Sequence, residues 1–170
     1  RSPSRGLGDV YKRQGAAGTV AGATITRLMA GKTDIVMMLN GALAGLVAIT
    51  AEPLTPSPLL AILIGFVGAL IMYFGTKFLE SQRLDDVVGA IPVHMFAGIF
   101  GTLVVPASNP ETNFGTQFLG VISVCVFSFV LSYFVFRSMK ATIGLRISKE
   151  AEKLGTDKAE VGVVAYSIRD

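Results

Sequence analysis

The sequence has few charged residues, one cysteine and one histidine. Asp, Glu, Lys and Arg make up 16% of its 170 residues, well below the roughly 25% of a typical soluble domain. Such a composition excludes an intrinsically disordered chain and argues against an ordinary soluble enzyme. The single cysteine, Cys125, cannot form an internal disulfide, which excludes a disulfide-stapled scaffold.

Charge is absent from four long blocks of the sequence. They are residues 35–51, 53–76, 87–110 and 112–136, with lengths of 17, 24, 24 and 25 residues. A helix of about 20 apolar residues crosses the hydrocarbon core of a bilayer. The apolar runs do not alternate with polar residues as a half-buried strand would, so helices are favoured over strands. The sequence therefore predicts an all-α, polytopic transmembrane helical bundle with five spans.

Turn-forming segments divide the chain into five predicted helices, a leader and a tail. The helices are predicted at residues 15–30, 34–51, 57–79, 86–105 and 116–136. Residues 1–14 carry a net charge of +3, equal to that of the whole chain, and are interpreted as a non-native leader outside the fold. Because the remainder is neutral, nucleic-acid binding is not expected. Residues 137–170 are predicted to be a solvated tail with a short helix between Ser148 and Gly155.

Basic residues occur on one side of this five-helix arrangement. The first and third connections and the tail contain basic residues, whereas the second and fourth contain Glu52 and Glu111 without Lys or Arg. The basic residues of the two connections are Arg27, Lys32, Lys77 and Arg83. Lys and Arg are enriched in cytoplasmic loops. The pattern predicts a multi-pass protein of the cell membrane (plasma or inner) with a cytoplasmic C-terminus.

His94 is the only histidine, and it lies eight residues inside the fourth predicted helix, near the expected bilayer midplane. An ionisable residue at such depth is a candidate functional residue. A neutral imidazole could accept a proton or hydrogen-bond a small polar solute. The alternative is a core histidine satisfied by a neighbouring helix. Without a second histidine or a cysteine cluster, neither haem nor a metal site is expected, and no cofactor is predicted.

Other residues around His94 have structural interpretations. Asp85 and Asp86 are expected to cap the start of the fourth helix and to complement its dipole. Pro92 is expected to remove one intrahelical hydrogen bond and to kink the helix beside the histidine.

Small residues four positions apart predict close helix packing. The pairs are Gly18 with Gly22 and Gly41 with Gly45. Asn40 and Thr50 are polar positions within the second predicted helix, and both are expected to form interhelical hydrogen bonds.

Three sequence blocks occur in the order found in a known family of membrane proteins. They are NGALAGLVAIT at 40–50, RLDDVVGAIPVHMFAGIFGTL at 83–103 and GLRISKEAEKLGTDKAEVGVVAY at 144–166. Together they resemble the ammonium transporter (Amt/Rh) family over about residues 15–166. The resemblance implies a fragment with spans seven to eleven of about eleven, a partial ammonium-transporter fold, and assembly as a homotrimer with one pore per subunit.

The resemblance also implies roles for individual residues. His94 matches a pore histidine of the tenth span, Ala90 one turn earlier would line the pore, and Asp86 matches a structural aspartate at the pore entrance. The implied function is conduction of ammonium or ammonia through a hydrophobic pore, without enzymatic activity. The alternative is an intramembrane redox or structural subunit that uses or buries a lone histidine.

Some positions depart from the usual family pattern. Met95 and Phe100 replace a frequent Gly and Trp, and both replacements are apolar. Val161 stands where many family tails have His, which weakens any inference about regulation. Some family tails contact a PII-type signalling protein, so such a regulator is a candidate partner of residues 137–170.

Overall fold

A computed structural model of the chain describes residues 3–54 and 56–164, and within them every regular element is helical, which confirms the all-α prediction. We use α4 for the continuous helical segment Ile91–Ala107. The helices are α1 (Pro3–Ala30), α2 (Ile35–Val47), α3 (Pro58–Ser81), α4, α5 (Phe114–Thr142) and α6 (Lys149–Leu154), followed by a π-helical turn at Asp157–Val161.

Contacts between residues divide the chain into two units, Arg1–Ser123 and Val124–Asp170. In the first unit α2 and α3 pack against each other, and α1 and α4 each contact both of them. The cluster where α2, α3 and α4 meet consists of Ala44, Met72, Val93 and Ala97. A core with so many small side chains lets the helix axes approach closely, as is common for helices in lipid.

The glycine spacing brings the backbones of α1 and α2 together, as predicted. A Cβ atom added to Gly41 would lie 2.5 Å from the carbonyl oxygen of Gly18, and one added to Gly22 would lie 2.6 Å from that of Met37. Neither distance is compatible with a side chain, because backbone atoms cannot move aside as a flexible side chain can.

Two of the described helices, α3 and α5, are long and apolar enough to cross a membrane, and α2 and α4 are apolar but shorter. Ser57 caps α3 at its start by accepting a hydrogen bond from the Leu60 amide at 3.3 Å. At its end Arg83 adopts a left-handed conformation with φ 58°, and the Leu84 amide donates to the Leu79 carbonyl at 3.1 Å. This arrangement satisfies carbonyl groups that the end of a helix leaves free.

A side-chain hydrogen bond joins the loop after α2 to the loop after α4. The Asn109 Nδ2 atom donates to Glu52 Oε2 at 3.2 Å. The other carboxylate oxygen of Glu52 accepts from the Leu54 amide at 3.2 Å. The loop after α2 is thereby fixed to the loop after α4.

The second unit contains the C-terminal part of α5, α6 and the final π-helical turn. None of the 29 residues of α5 is buried. The predicted short helix of the tail is confirmed: Ser148 Oγ accepts from the Ala151 amide at 3.1 Å, and α6 ends before Gly155, whose φ is 96°.

Several predicted helix bounds were wrong. The segment read as a leader is helical from Pro3 and continuous with α1, and Gln14 is fully buried beside the backbones of Gly45 and Gly65. Helix α2 ends at Val47, where the chain passes into turns, and α5 continues to Thr142 rather than residue 136. The positions of charged residues indicate where a helix leaves an apolar environment, but the helical backbone of α1 and α5 continues past them.

Candidate functional site

The start of α4 differs from the prediction. Residues 86–90 precede the helix, which begins at Ile91, because Gly89 has φ 73° and interrupts the helical conformation. The predicted capping role of Asp86 is confirmed: Oδ1 accepts from the Ala90 amide at 2.9 Å and Oδ2 from the Ile91 amide at 2.8 Å. One carboxylate thus satisfies two amides that lack intrahelical partners.

Asn40 of α2 holds the turn that precedes α4. Its Nδ2 atom donates to the Val88 carbonyl at 3.0 Å. In a regular α-helix that carbonyl would accept from residue 92, but Pro92 has no N–H group. Asn40 supplies the missing donor. A Cβ atom at Gly89 would lie 2.8 Å from Asn40 Nδ2, so this turn also needs glycine for space.

Pro92 lies in a segment that departs from regular α-helix, as expected of a proline within a helix. Residues Ile91–Phe96 form a π-helical turn, which is followed by α-helix at Ala97–Val104 and a 3₁₀ turn at Val105–Ala107. A π-helical turn is rare and occurs often at functional sites. Here it contains His94, the sole histidine.

Opposite faces of α4 have different environments. Pro92, Val93 and Ala97 are buried, and Val93 and Ala97 belong to the core shared with α2 and α3. Ala90, just before α4, and His94 are both exposed among the described residues. Ile91 and Met95 are exposed beside them and make the surroundings of the imidazole apolar.

His94 lies close to the beginning of its helix. It is the fourth residue of α4, so the predicted count of eight residues from Asp86 does not measure its depth. None of the described residues hydrogen-bonds to its ring.

Two polar residues of the second predicted helix have partners other than those expected. Asn40 was expected to bond to another helix, but its partner is a turn carbonyl. Thr50 was also expected to bond between helices, but its hydroxyl donates to Val47 within the same segment at 2.8 Å. The ring of Phe96 packs against Gly75 of α3, a contact that no sequence motif predicted.

The chemistry available at this face is hydrogen bonding. A neutral imidazole has one nitrogen that donates and one that accepts, and both can address a small polar molecule against an apolar wall. Among the described residues no group of three His, Cys, Asp or Glu side chains could hold a metal ion.

The sequence matches the Ammonium Transporter Family over residues 14–166. It is 39% identical over 171 residues to the protein named Ammonium transporter Amt2 of Archaeoglobus fulgidus, covering 89% of this chain and 36% of that protein. It is 32% identical over 173 residues to Ammonium transporter Amt2 of Methanocaldococcus jannaschii, covering 96% of this chain and 41% of that protein.

Solved structures with the same fold have related names. A "Sensor Amt Protein" matches with a TM-score of 0.86 and 28% identity, over 94% of this chain and 42% of that one. The N240A mutant of Candida albicans Mep2 matches with a TM-score of 0.80 and 21% identity, over 94% of this chain and 40% of that one. The chain thus spans about two fifths of the length of these relatives.

Proposed function

The chain belongs to the ammonium transporter family, and from this premise we propose that it forms one wall of a pore that conducts ammonium as ammonia. In this proposal His94 and Ala90 line the pore, and Asp86 fixes the start of the helix that carries them. In the complete transporter, the rest of the pore wall comes from segments that correspond to the unmatched parts of the relatives.

The observation that carries the proposal is the position of His94. One face of α4 packs into the core through Val93 and Ala97, and the opposite face presents His94 without a hydrogen-bond partner among the described residues. The two short contacts from Asp86 and the bond from Asn40 hold the turn before it. Such support is what a residue with a fixed role in recognition requires.

The physical argument explains why an apolar wall suits ammonia. A bare cation in a low-dielectric environment is costly, whereas a neutral amine needs only hydrogen bonds. Ammonium must therefore lose a proton or its hydration water before it passes the apolar part of the pore. A neutral His94 could then donate from one ring nitrogen and accept at the other, without fixed charge.

Topology supports the same proposal. Basic residues lie at the ends of α1 and α3 and after α5, whereas the loops after α2 and α4 contain Glu52 and Glu111. In a chain that crosses the membrane with each successive helix, the basic segments fall on one side and the two acidic loops on the other. By the positive-inside rule, α6 and the rest of the tail lie in the cytoplasm and the chain crosses the cell membrane several times. Assembly as a homotrimer and contact of the tail with a PII-type regulator belong to this proposal as well.

The test needs the complete transporter that contains this segment. His94→Ala should strongly reduce ammonium current, because the hydrogen-bonding ring is lost, and His94→Glu should relax discrimination against potassium, because a carboxylate favours cations. Met95→Leu, on the same exposed face, is the matched control and should keep both properties. Membrane abundance and oligomeric state are measured first for every variant.

Three outcomes would contradict the proposal. Unchanged ammonium current and potassium exclusion in both His94 variants would mean that the histidine is structural. Saturable ammonium flux through liposomes that contain only these 170 residues would mean that no further pore wall is required. Labelling of the tail from outside intact cells would overturn the topology.

A further inference from the structure

The turn that carries His94 rests against a single glycine of α3. A Cβ atom added to Gly75 would lie 2.9 Å from Cε2 of the Phe96 ring and 3.1 Å from Cβ of Pro92. Gly75 and Pro92 are buried, and Phe96 is partly buried. The π-helical turn Ile91–Phe96 therefore approaches α3 at a point where no side chain fits.

Pro92 and Phe96 lie on the side of the turn away from the histidine. Residues four positions apart share one side of a helix. His94 is two residues from each of them, which is more than half of an α-helical turn of about 3.6 residues. The burial agrees, because Pro92 is buried whereas His94 is exposed. A movement of the turn away from α3 would thus carry the imidazole further out from this core.

A side chain at position 75 would move the backbone of the turn and not only the ring of Phe96. A phenylalanine ring can rotate away from a neighbour. The ring of Pro92 is bonded to its own backbone nitrogen and cannot. A distance of 3.1 Å is shorter than the optimal carbon–carbon contact of about 3.5–4.0 Å. The backbone that carries Pro92 must therefore give way.

The chain is held on both sides of the turn. Before it, the Val88 carbonyl accepts from Asn40 Nδ2 at 3.0 Å. After it, Ala97 is fully buried in the cluster that contains Ala44 and Met72. Irregular hydrogen bonding is where a helix bends most readily. The displacement is therefore expected within Ile91–Phe96, the segment that contains His94.

We propose that Gly75 is a positioning residue for His94 and sets how wide the pore is at the histidine. The inference rests on the proposed function, in which the side of α4 that presents His94 lines the pore. Without a Cβ atom at position 75, the turn sits back against α3 and leaves room in front of the imidazole. An added methyl group would push the turn forward and narrow the passage.

The consequence is a limit on substrate size. Methylammonium has one methyl group more than ammonium and is the first amine that a narrower passage would exclude. A hydrophobic pocket discriminates one methylene group by about 10- to 200-fold. Ammonium, the smaller of the two, should be affected much less.

A plain packing role for Gly75 predicts a different result. In that case a larger side chain would lower the amount of folded transporter, and both substrates would be affected equally. The ratio of methylammonium flux to ammonium flux does not depend on the amount of protein. This ratio therefore separates a positioning role from a packing role.

The experiment uses the complete transporter that contains this segment, purified and reconstituted in liposomes. Methylammonium and ammonium fluxes are measured on the same preparation of each variant. Gly75→Ala should lower the methylammonium-to-ammonium ratio about tenfold, the low end of discrimination for one methylene group. Gly75→Ser adds a Cβ atom at the same place and should change the ratio in the same direction.

Two further variants locate the effect. In Gly68→Ala the new Cβ atom meets Ala48 Cβ at 2.9 Å, so it is equally crowded, but its neighbours belong to the segment of α2 and not to the turn. Its ratio should equal that of the parent. Gly75→Ala combined with Phe96→Ala removes the ring that the new methyl group meets most closely, and it should restore the ratio towards the parental value.

Three results would overturn the proposal. They are an unchanged ratio in both Gly75 variants, an equal change in Gly68→Ala, and no recovery in the combined variant. The proposed function fails by a separate result, an unchanged ammonium current and potassium exclusion in the His94 variants. If the His94 variants behave as expected while the Gly75 variants keep the parental ratio, only the positioning role is wrong.

Discussion

The most apolar 18-residue stretches of α3 and α5 have nearly equal mean hydropathies, 2.3 and 2.4. Of these stretches, 44% is buried in α3 and none is buried in α5. The two helices also differ in the size of the side chains at these positions. The buried positions of α3 include Ala61, Gly65, Gly68 and Ala69, which let α1 and α2 approach its backbone. In α5 the apolar positions include exposed phenylalanines, such as Phe127 and Phe129.

This comparison separates two properties that a hydropathy value combines. Hydropathy reports whether a helix prefers lipid to water, and α3 and α5 give the same answer. Packing between helices in lipid depends instead on small residues and on hydrogen bonds. Equal substitutions in the two helices should therefore have unequal effects.

The largest effect is expected from adding a large side chain at a packed glycine. In Gly68→Leu the new Cβ atom meets Ala48 Cβ at 2.9 Å and the Ala44 carbonyl oxygen at 3.0 Å. We expect a loss of about 3 kcal/mol in the free energy of unfolding, at the upper end for overpacked cores. Thermal unfolding in detergent micelles, followed by circular dichroism, measures it.

The matched control is Gly120→Leu in α5, where a Cβ atom would meet nothing within 4 Å. Its effect should stay within about 0.5 kcal/mol, as for most surface substitutions. Equal melting temperatures for the two variants would show that size does not distinguish these helices.

A smaller effect is expected where the packed unit uses a hydrogen bond. Asn40→Leu removes the donor to the exposed Val88 carbonyl and should cost about 1.5 kcal/mol, the upper end for one hydrogen bond. Thr142→Val in α5 removes a hydroxyl that donates within its own helix, to the Ser138 carbonyl at 2.9 Å and the Met139 carbonyl at 3.5 Å. It should be nearly neutral in the same unfolding measurement, and a loss as large as that of Asn40→Leu would refute the distinction.

Loss of a helix cap should likewise cost more in the packed first unit than in the exposed second unit. Asp86→Ala leaves the Ala90 and Ile91 amides without their acceptor and should cost about 1 to 2 kcal/mol. Ser148→Ala removes the corresponding cap of α6, which has six residues and none buried. Hydrogen exchange should show fraying confined to α6, with the melting temperature of the first unit unchanged. Faster exchange across α4 in Ser148→Ala would contradict this independence.

The smallest effect is expected at the C-terminal ends of the two helices. The chain after α3 uses Arg83 in a left-handed conformation, with φ 58°, whereas the chain after α5 uses Gly144, with φ 79°. Arg83→Gly should stabilise the first unit by about 1 kcal/mol, because glycine adopts this conformation without steric cost. The reciprocal change, Gly144→Ala, should weaken the end of α5, and a lower melting temperature for Arg83→Gly would contradict the argument.

The sequence contained enough information for the all-helical fold and for a set of candidate site residues. Charge-free blocks indicated the apolar helices, glycine spacing indicated the contact of α1 with α2, and the single histidine drew attention to α4. Pro92 indicated a disturbed helix, but not that the disturbance would be a π-helical turn. These are local signals, carried by residue type and spacing.

What the sequence did not reveal depends on tertiary contacts. Asp86 was correctly predicted to cap the fourth helix, yet the helix was predicted to begin at residue 86 and begins at Ile91. The partner of Asn40 lies 48 residues away, and no periodicity identifies such a pair. The backbone of Gly89 turns left-handed where the apolar pattern alone suggests a continuous helix.

The hydrogen bonds at the two ends of α4 restrict how this helix can move. Asn40 holds the turn before it, and Asn109, which follows it, is held by Glu52. A rod fixed at one end can pivot like a lever, but a rod fixed at both ends can only bend along its length. We expect any bending to concentrate at Ile91–Phe96, where the α-helical bonding is already replaced. The histidine would then move without any displacement of the helix ends.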